Sequence, residues 1–314
     1  MKENRLQRLL DQAEQHNSAL VAVNVSNVET IKAALHAAES TQTALILQVA
    51  PLQLDFQGID YDEFVELVSV LARRHNVDYA LHLDHAEEVE HCLRAIDAGF
   101  DSVMFDGSKQ SYDQNLQGTK AVCYAAHRKQ VLVEAELGRV LGNEAGSDEP
   151  SLDDVYTDPQ LAKAFVEETQ VDLLAVAIGN AHGFHVGPPK LDFERLNQIR
   201  LSISRPIVLH GGTGIPVDDI RQSIALGVRK INYFTELDST FMNAIKQEAK
   251  ENPSALMIQS FAKAQRALSD DIIAKMTYCS SAILGKATTP LASTSSNAYQ
   301  PHVTASAQTE EVIA

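Results

Sequence analysis

Short runs of Val, Ile, Leu and Ala alternate along this chain with longer stretches in which apolar residues recur every three to four positions. ALVAVNV (19–25) is followed by VETIKAALHAAES, TALILQVA (43–50) by YDEFVELVSVLARRH, and DYALHLD (78–84) by EEVEHCLRAIDAG. DSVMFDG (101–107) leads to YDQNLQGTKAVCYAAHRK, and VLVEAEL (131–137) to a Gly- and acid-rich loop and DPQLAKAFVEETQ. DLLAVAIG (172–179) precedes a loop and DFERLNQIRLSI, PIVLHGG (206–212) precedes PVDDIRQSIALG, and KINYFTE (230–236) opens a long helical C-terminal region. Near-continuous apolar strands are what a parallel sheet buried on both faces requires. The helical spacing between them supplies the crossovers. Eight such units predict an α/β protein, a closed (β/α)8 TIM barrel in preference to an open sheet.

Three segments lie outside that repeat. A helix over 3–16 is expected to plug or flank the barrel bottom, and the last unit continues into a C-terminal helical extension. From residue 286 the chain reads KATTPLASTSSNAYQPHVTASAQTEEVIA, rich in Ser, Thr and Ala without periodicity, which predicts a disordered tail. The expected organisation is therefore one barrel domain over 1–285 and a tail over 286–314.

Composition narrows the partners. With 42 acidic against 26 basic residues the net charge is -16, the wrong sign for a surface that must neutralise nucleic-acid phosphates. No apolar run approaches a membrane span, and the opening MKENRLQRLLDQAEQ has no apolar core of a signal peptide. Cys92, Cys123 and Cys279 are sparse, odd in number and fit no metal or disulfide spacing, which suits a reducing compartment. The expectation is a cytoplasmic protein acting on small molecules. Local backbone amides can still bind an anionic substrate whatever the net charge.

Barrel chemistry sits at the C-terminal ends of the strands. LHLDH (81–85) places Asp84 and His85 at the end of the third strand, which is either a metal ligand beside a proton carrier or a polar strand end with no chemistry. Asp106 ends the fourth strand, Glu136 lies near the end of the fifth, His182 follows the sixth, His210 ends the seventh and Asn232 sits in the eighth. Three histidines and an open position describe a catalytic metal site, and neutral imidazole suits Zn²⁺. Their common position after strands turns distant residues into neighbours, which favours metal over a purely structural role for His85, His182 and His210. His16, His36, His75, His91, His127 and His302 read as surface or structural histidines, His82 as support for the site, and His185 as an exposed loop residue. LHGGTG (209–214) and INYFTE (231–236) occupy the quarter of a barrel that commonly binds phosphate, although GG alone is equally a tight turn. Glu134 and Glu136 share a strand face and either approach the metal or stabilise the interior, while Glu144 lies on a loop that is either a lid or solvated.

Together these segments resemble the class II, zinc-dependent ketose-bisphosphate aldolases, most closely the tagatose-bisphosphate branch. The likeness runs over most of 1–285 through AVNVSN, ALHLDH, SVMFDGS, VEAELGR, YTDP, LAVAIGNAHG, PIVLHGGTG, INYFTEL and AKMTYCSSA. It implies zinc held by His85, His182 and His210, with Asp84 as proton donor and Glu144 as the loop acid that moves the proton of the dihydroxyacetone phosphate carbon. Asp106 and Glu136 match residues that hold zinc in an alternative position. Asn24, Gly183, Gly211, Gly212, Thr213, Asn232, Tyr233, Phe234 and Thr235 match substrate-binding positions, and a monovalent cation (Na⁺ or K⁺) near the phosphate is typical. The implied reaction is reversible cleavage of tagatose or fructose 1,6-bisphosphate to dihydroxyacetone phosphate and an aldehyde such as glyceraldehyde 3-phosphate, by a homo-oligomer, dimer or tetramer.

The departures cluster at the end of the substrate away from the metal. Ala50 replaces a Ser or Thr, Val186 a Lys of the fructose-bisphosphate members, Leu141 and Ala145 a Gly and an Asp of the loop, and Phe234 a small residue or Asp. Gln259 stands where many members carry an Arg for the distal phosphate. Two alternatives follow: the same aldol chemistry on an aldehyde without that phosphate, or a non-catalytic regulatory barrel. A metal hydrolase expects HxH at an early strand, which His82-Leu83-Asp84-His85 does not provide.

Overall fold

In the computed structural model, which describes residues 4–138, 155–183 and 189–280, eight parallel strands close in sequence order into one barrel. They are β1 (Leu20–Asn24), β2 (Leu45–Val49), β3 (Tyr79–Ala86), β4 (Ser102–Phe105), β5 (Leu132–Leu137), β6 (Leu173–Val176), β7 (Ile207–Leu209) and β8 (Val228–Tyr233). The described helices are α1 (Arg5–Gln15), α2 (Val28–Thr41), α3 (Pro51–Gln57), α4 (Tyr61–Ala72), α5 (Val89–Ala98), α6 (Tyr112–His127), α7 (Pro159–Thr169), α8 (Phe193–Ser202), α9 (Val217–Ala225), α10 (Thr235–Glu251) and α11 (Met257–Ser280). The (β/α)8 expectation is met. One element was not foreseen: α3 branches off directly after β2, opened by Pro51 and closed by Gly58 in the left-handed region. None of the described helices is long and apolar enough to cross a membrane.

Alternation along the strands sorts the side chains. Val21, Val23, Leu45, Leu47, Leu81, Leu83, Val103, Val133 and Leu174 face the helices and form the larger apolar cluster. Their neighbours face inward, and the interior changes character along the barrel axis. At the bottom, Leu20, Ala22, Ile46, Ala80, Leu132, Leu173, Ala175 and Val208 form a second apolar cluster. The buried face of α1, Leu6, Leu9, Leu10 and Ala13, seals it, so the opening helix plugs the barrel. One inward step higher come His82, Ser102, Glu134 and Lys230, all fully buried. At the mouth stand Asn24, Asp84, Glu136, His210 and Asn232.

The proposed tail over 286–314, Glu144 and Val186 lie outside the described residues.

Candidate active site

Adjacent residues on a strand point to opposite faces, so Asp84 and His85 cannot both reach the mouth from a regular strand. A bulge resolves this. Between Leu83 and Ala86 the chain takes three steps along β3 against two along β4, pairing Leu83 with Val103 and Ala86 with Phe105. His85 absorbs the extra residue in the left-handed region, at φ 42°, a conformation costing a non-glycine residue about 1–3 kcal/mol. The bulge re-aims a side chain at the site, as bulges beside active sites do.

The rings of His85, His182 and His210 converge, with centroids 5.1 Å (85–182), 4.7 Å (85–210) and 5.8 Å (182–210) apart. One nitrogen of each lies within 4.8 Å of the others. Asp106 and Glu136 stand equally close to His85 in a second such group. Each of two imidazoles has one nitrogen committed elsewhere. His85 Nδ1 meets Asp106 Oδ2 at 2.7 Å, and His210 Nε2 meets Glu134 Oε1 at 2.8 Å. The buried Nδ1 of His210 makes no hydrogen bond among the described residues, and lies 3.6 Å from Glu136 Oε2. A carboxylate behind a histidine directs the lone pair of the opposite nitrogen forward. This donor set fits a divalent metal.

Asp84 is held by three amides from three strands. Asn24 Nδ2 and Gln48 Nε2 donate to Oδ2 at 2.9 and 3.1 Å, and Asn232 Nδ2 donates to Oδ1 at 3.1 Å. Its other close approach is to His85 Nε2, 4.0 Å away. Burial opposes ionisation of Asp84, but the charges of His85, Lys230 and His210 and the Asn24 hydrogen bond outweigh it, and its pKa lies below the ordinary carboxylate value. Burial likewise opposes charging His85, yet the Asp84 charge and the hydrogen bond to Asp106 raise its pKa to about 10. His210 goes the other way: burial, reinforced by His85 and Lys230, pushes it well below the usual imidazole value. Without metal, burial and neighbouring charge therefore favour a charged His85 and a neutral His210 beside an ionised Asp84.

The loop after β7 passes close beneath the one after β6. A Cβ on Gly211, at φ 63°, would meet the Ala181 carbonyl at 2.2 Å, so only glycine fits. Gly212 N–H donates to the Asn232 carbonyl at 3.0 Å, tying this loop to β8. Thr213 Oγ1 accepts from Glu236 N–H at 3.4 Å, and Thr235 opens α10. Gly183 also has a positive φ, 88°.

The structure thus brings Asn24, Asp84, His85, His182, His210 and Asn232 to one mouth. Tyr233 is different, because its ring turns outward under α11, with its hydroxyl 3.1 Å from that of Tyr278, and the ring edge lies against Gly212, where a Cβ would meet Cε1 at 2.7 Å. Phe234 is 41% exposed at the start of α10. Gln259 is turned back on its own helix, its Oε1 accepting from Leu256 N–H at 2.9 Å. Two interior residues were missed by the sequence reading, Gln48 and Lys230. Gln48 is the one polar side chain of β2, and Lys230 lies two residues before Asn232 on β8, so both fall inward in step with residues already singled out. Gln48 pairs with Asn24 on one side and His82 on the other.

Comparison with known proteins gives the geometry its context. Residues 4–283 match the family described as fructose-bisphosphate aldolase class-II. The YdjI aldolase of Escherichia coli K12 is 30% identical with a TM-score of 0.76, over 87% of this chain and 96% of that one. A candidate fructose-1,6-biphosphate aldolase from Coccidioides immitis is 30% identical with a TM-score of 0.79, over 89% and 97%. The fructose-bisphosphate aldolase of Campylobacter jejuni, at 20% identity and a TM-score of 0.74 over 88% and 95%, shares the fold. The chain belongs to the class II fructose-bisphosphate aldolase family, and it is an aldolase, an aldehyde-lyase.

Proposed function

We propose that this aldolase is zinc-dependent and reversibly cleaves a phosphorylated ketose, tagatose or fructose 1,6-bisphosphate, to dihydroxyacetone phosphate and an aldehyde such as glyceraldehyde 3-phosphate. The observation that carries the reading is the convergence of His85, His182 and His210 within 4.8 Å, beside the ionised carboxylate of Asp84. His85, His182 and His210 would hold the ion. When bound, zinc supplies a Lewis acid that draws electron density from the substrate carbonyl.

Asp84 does the proton work at the bond that breaks. Held by three amides, it takes the proton of the hydroxyl in cleavage and returns it to the aldehyde oxygen in synthesis. Glu144, in the segment that follows β5 in the sequence, serves the carbon of the dihydroxyacetone phosphate half. The phosphate of that half is held by Gly183, Gly211, Gly212, Thr213 and the run Asn232, Tyr233, Phe234 and Thr235, chiefly through backbone amides, with Na⁺ or K⁺ beside it. Support comes from the glycine-only contact at Gly211, which lets backbone rather than side chain line the site.

A second reading, an aldehyde without the distal phosphate, is favoured by two observations. Ala50 offers no hydroxyl, its N–H being capped by Gln53 Oε1 at 2.9 Å, and Gln259 is engaged by its own helix. The expected assembly is a homo-oligomer, dimer or tetramer, a reading supported by the exposed run Leu256, Met257 and Ile258. Three buried free thiols suit a cytoplasmic enzyme.

The test is release of dihydroxyacetone phosphate from each bisphosphate, with EDTA and after added Zn²⁺. Release abolished by EDTA and restored by zinc is expected, and the ratio of rates identifies the sugar. A folded, zinc-loaded protein that cleaves neither bisphosphate but does condense dihydroxyacetone phosphate with uncharged aldehydes would move the assignment to the second reading.

A further inference from the structure

Behind the mouth, two opposite charges are buried where an apolar pair would fit the barrel more cheaply. Glu134 of β5 and Lys230 of β8 are both fully inaccessible. Replacing such a pair with apolar residues is often neutral or stabilising, so stability alone does not account for it. Its connections do. Glu134 Oε2 accepts from Lys230 Nζ at 2.7 Å while Oε1 meets His210 Nε2 at 2.8 Å. Lys230 Nζ lies 3.3 Å from His82 Nε2, and His82 Nδ1 lies 2.7 Å from Ser102 Oγ.

Donor and acceptor inventories fix the direction of every bond in this chain. An ammonium only donates and a carboxylate only accepts. His82 Nε2 must therefore accept from Lys230, which leaves its Nδ1–H to donate to Ser102. His210 Nε2 must carry the proton it gives to Glu134, which leaves the lone pair on Nδ1. That is the nitrogen with no hydrogen-bond partner among the described residues.

We infer that Lys230 and Glu134 are positioning residues for the metal: Lys230 pins one carboxylate oxygen so that the other holds His210 with Nδ1 facing His85 and His182. The inference rests on the metal reading given under Proposed function. Without Lys230, Oε2 loses its hydrogen-bond donor and has only His82 Nε2 at 3.6 Å beside it among the described residues, so the carboxylate can turn and His210 loses the contact that selects its tautomer and ring orientation. His82 and Ser102 act one step further back, by orienting the lysine.

Three proteins test this: wild type, Lys230→Met, and the double variant Lys230→Met/Glu134→Gln. Zinc affinity is measured by competition with a chromophoric chelator, and folding by circular dichroism and thermal melting. The His210 tautomer in the metal-free protein is read from long-range ¹H–¹⁵N correlations. Wild type should show the proton on Nε2. Lys230→Met should bind zinc about 10- to 100-fold more weakly, the usual loss when such a supporting partner is removed. The double variant should recover most of that loss. The side-chain oxygen of the introduced glutamine can still accept from His210, and its amide replaces an oxygen 3.6 Å from His82 Nε2, to which it can donate. A proton on Nδ1 in wild type would overturn the inference whether or not any variant folds. So would a folded Lys230→Met with wild-type zinc affinity, or a folded double variant no better than the single one. Wild type that binds no zinc would instead sink the metal reading itself.

Discussion

Asp84→Asn separates the proton role of this carboxylate from its place in the structure. The substitution keeps the size of the side chain and removes its charge and basicity. Asp84 accepts three hydrogen bonds, from Asn24, Gln48 and Asn232. The introduced asparagine can keep its carbonyl toward Asn24 and Gln48, which share one oxygen of Asp84. Its amide then faces Asn232, whose Oδ1 has no partner among the described residues, so a flip of that amide remakes the third bond. What is lost is the charge on three hydrogen bonds, about 1 kcal/mol each. That is offset by no longer burying an anion, so the fold should survive. The chemical step should not. A positioned acid or base contributes roughly 10²- to 10⁴-fold to rate, which is about 3–5 kcal/mol of activation free energy. The assay follows cleavage and, separately, exchange of the dihydroxyacetone phosphate C–H with deuterium oxide by NMR. Cleavage should fall by about 10²- to 10⁴-fold, with zinc stoichiometry retained. Exchange should survive within roughly tenfold, since another group serves that carbon. Equal loss of both reactions would assign Asp84 to the integrity of the site, and cleavage at the wild-type rate would remove it from the mechanism.

Three further outcomes follow from the charges and the core. His85, with its pKa raised to about 10 in the metal-free protein, must lose its proton to bind a metal, so zinc binding at pH 8 should release about one proton from it. Calorimetry in buffers of different ionisation enthalpy reads that number as a slope, and a zero slope would contradict the charge state. The sign for folding is the reverse of the carboxylate case: stability from charged His85 is fully present below about pH 6.5 and lost as pH rises through about 10. At the far end of the barrel, Leu9→Ala removes a side chain only 1% exposed in the plug and should cost about 2–5 kcal/mol in denaturant melts. Zinc affinity should stay unchanged, and a loss under about 1 kcal/mol would mean that α1 is not part of the core.

Much of the site was legible because a barrel gives its chemistry a fixed address. Once the apolar runs are read as parallel strands, Asp84, His85, His182, His210 and Asn232 must share one end, and they do. What was not legible falls into two kinds. The alternation rule, carried one step further, would have found Gln48 and Lys230 as inward polar residues and would have turned Tyr233 outward next to the inward Asn232. Pro51 and Gly58 likewise bracketed α3 in plain view. The bulge is the other kind. Nothing in LHLDH announces that His85 adopts φ 42°, because a histidine there is strained and only the surrounding contacts hold it. The departures at Ala50, Phe234 and Gln259 were not decided by the repeat, because these residues lie beyond the strands, where alternation prescribes no side chain.

The interior gradient explains how one fold carries such a site without losing its stability. Strands β1, β2, β3, β5 and β7 each place an apolar side chain in the bottom cluster before an inward polar one, so the dry layer sealed by α1 lies below the charged groups of the interior. Removing water from the middle layer strengthens the Lys230, Glu134 and His210 bonds, since a buried hydrogen bond faces a weaker dielectric. The same dryness makes any unpaired member expensive. The network can therefore be precise only if it is complete, and most of its bonds cross the barrel interior between strands that are not paired in the sheet: β7 to β5, β3 to β1 and β8, and β5 to β8, with β3 to its neighbour β2 as the exception. A perturbation in the middle layer should then be felt first as metal affinity and tautomer, and one in the bottom layer first as global stability. Lys230→Met and Leu9→Ala are predicted to separate those two effects.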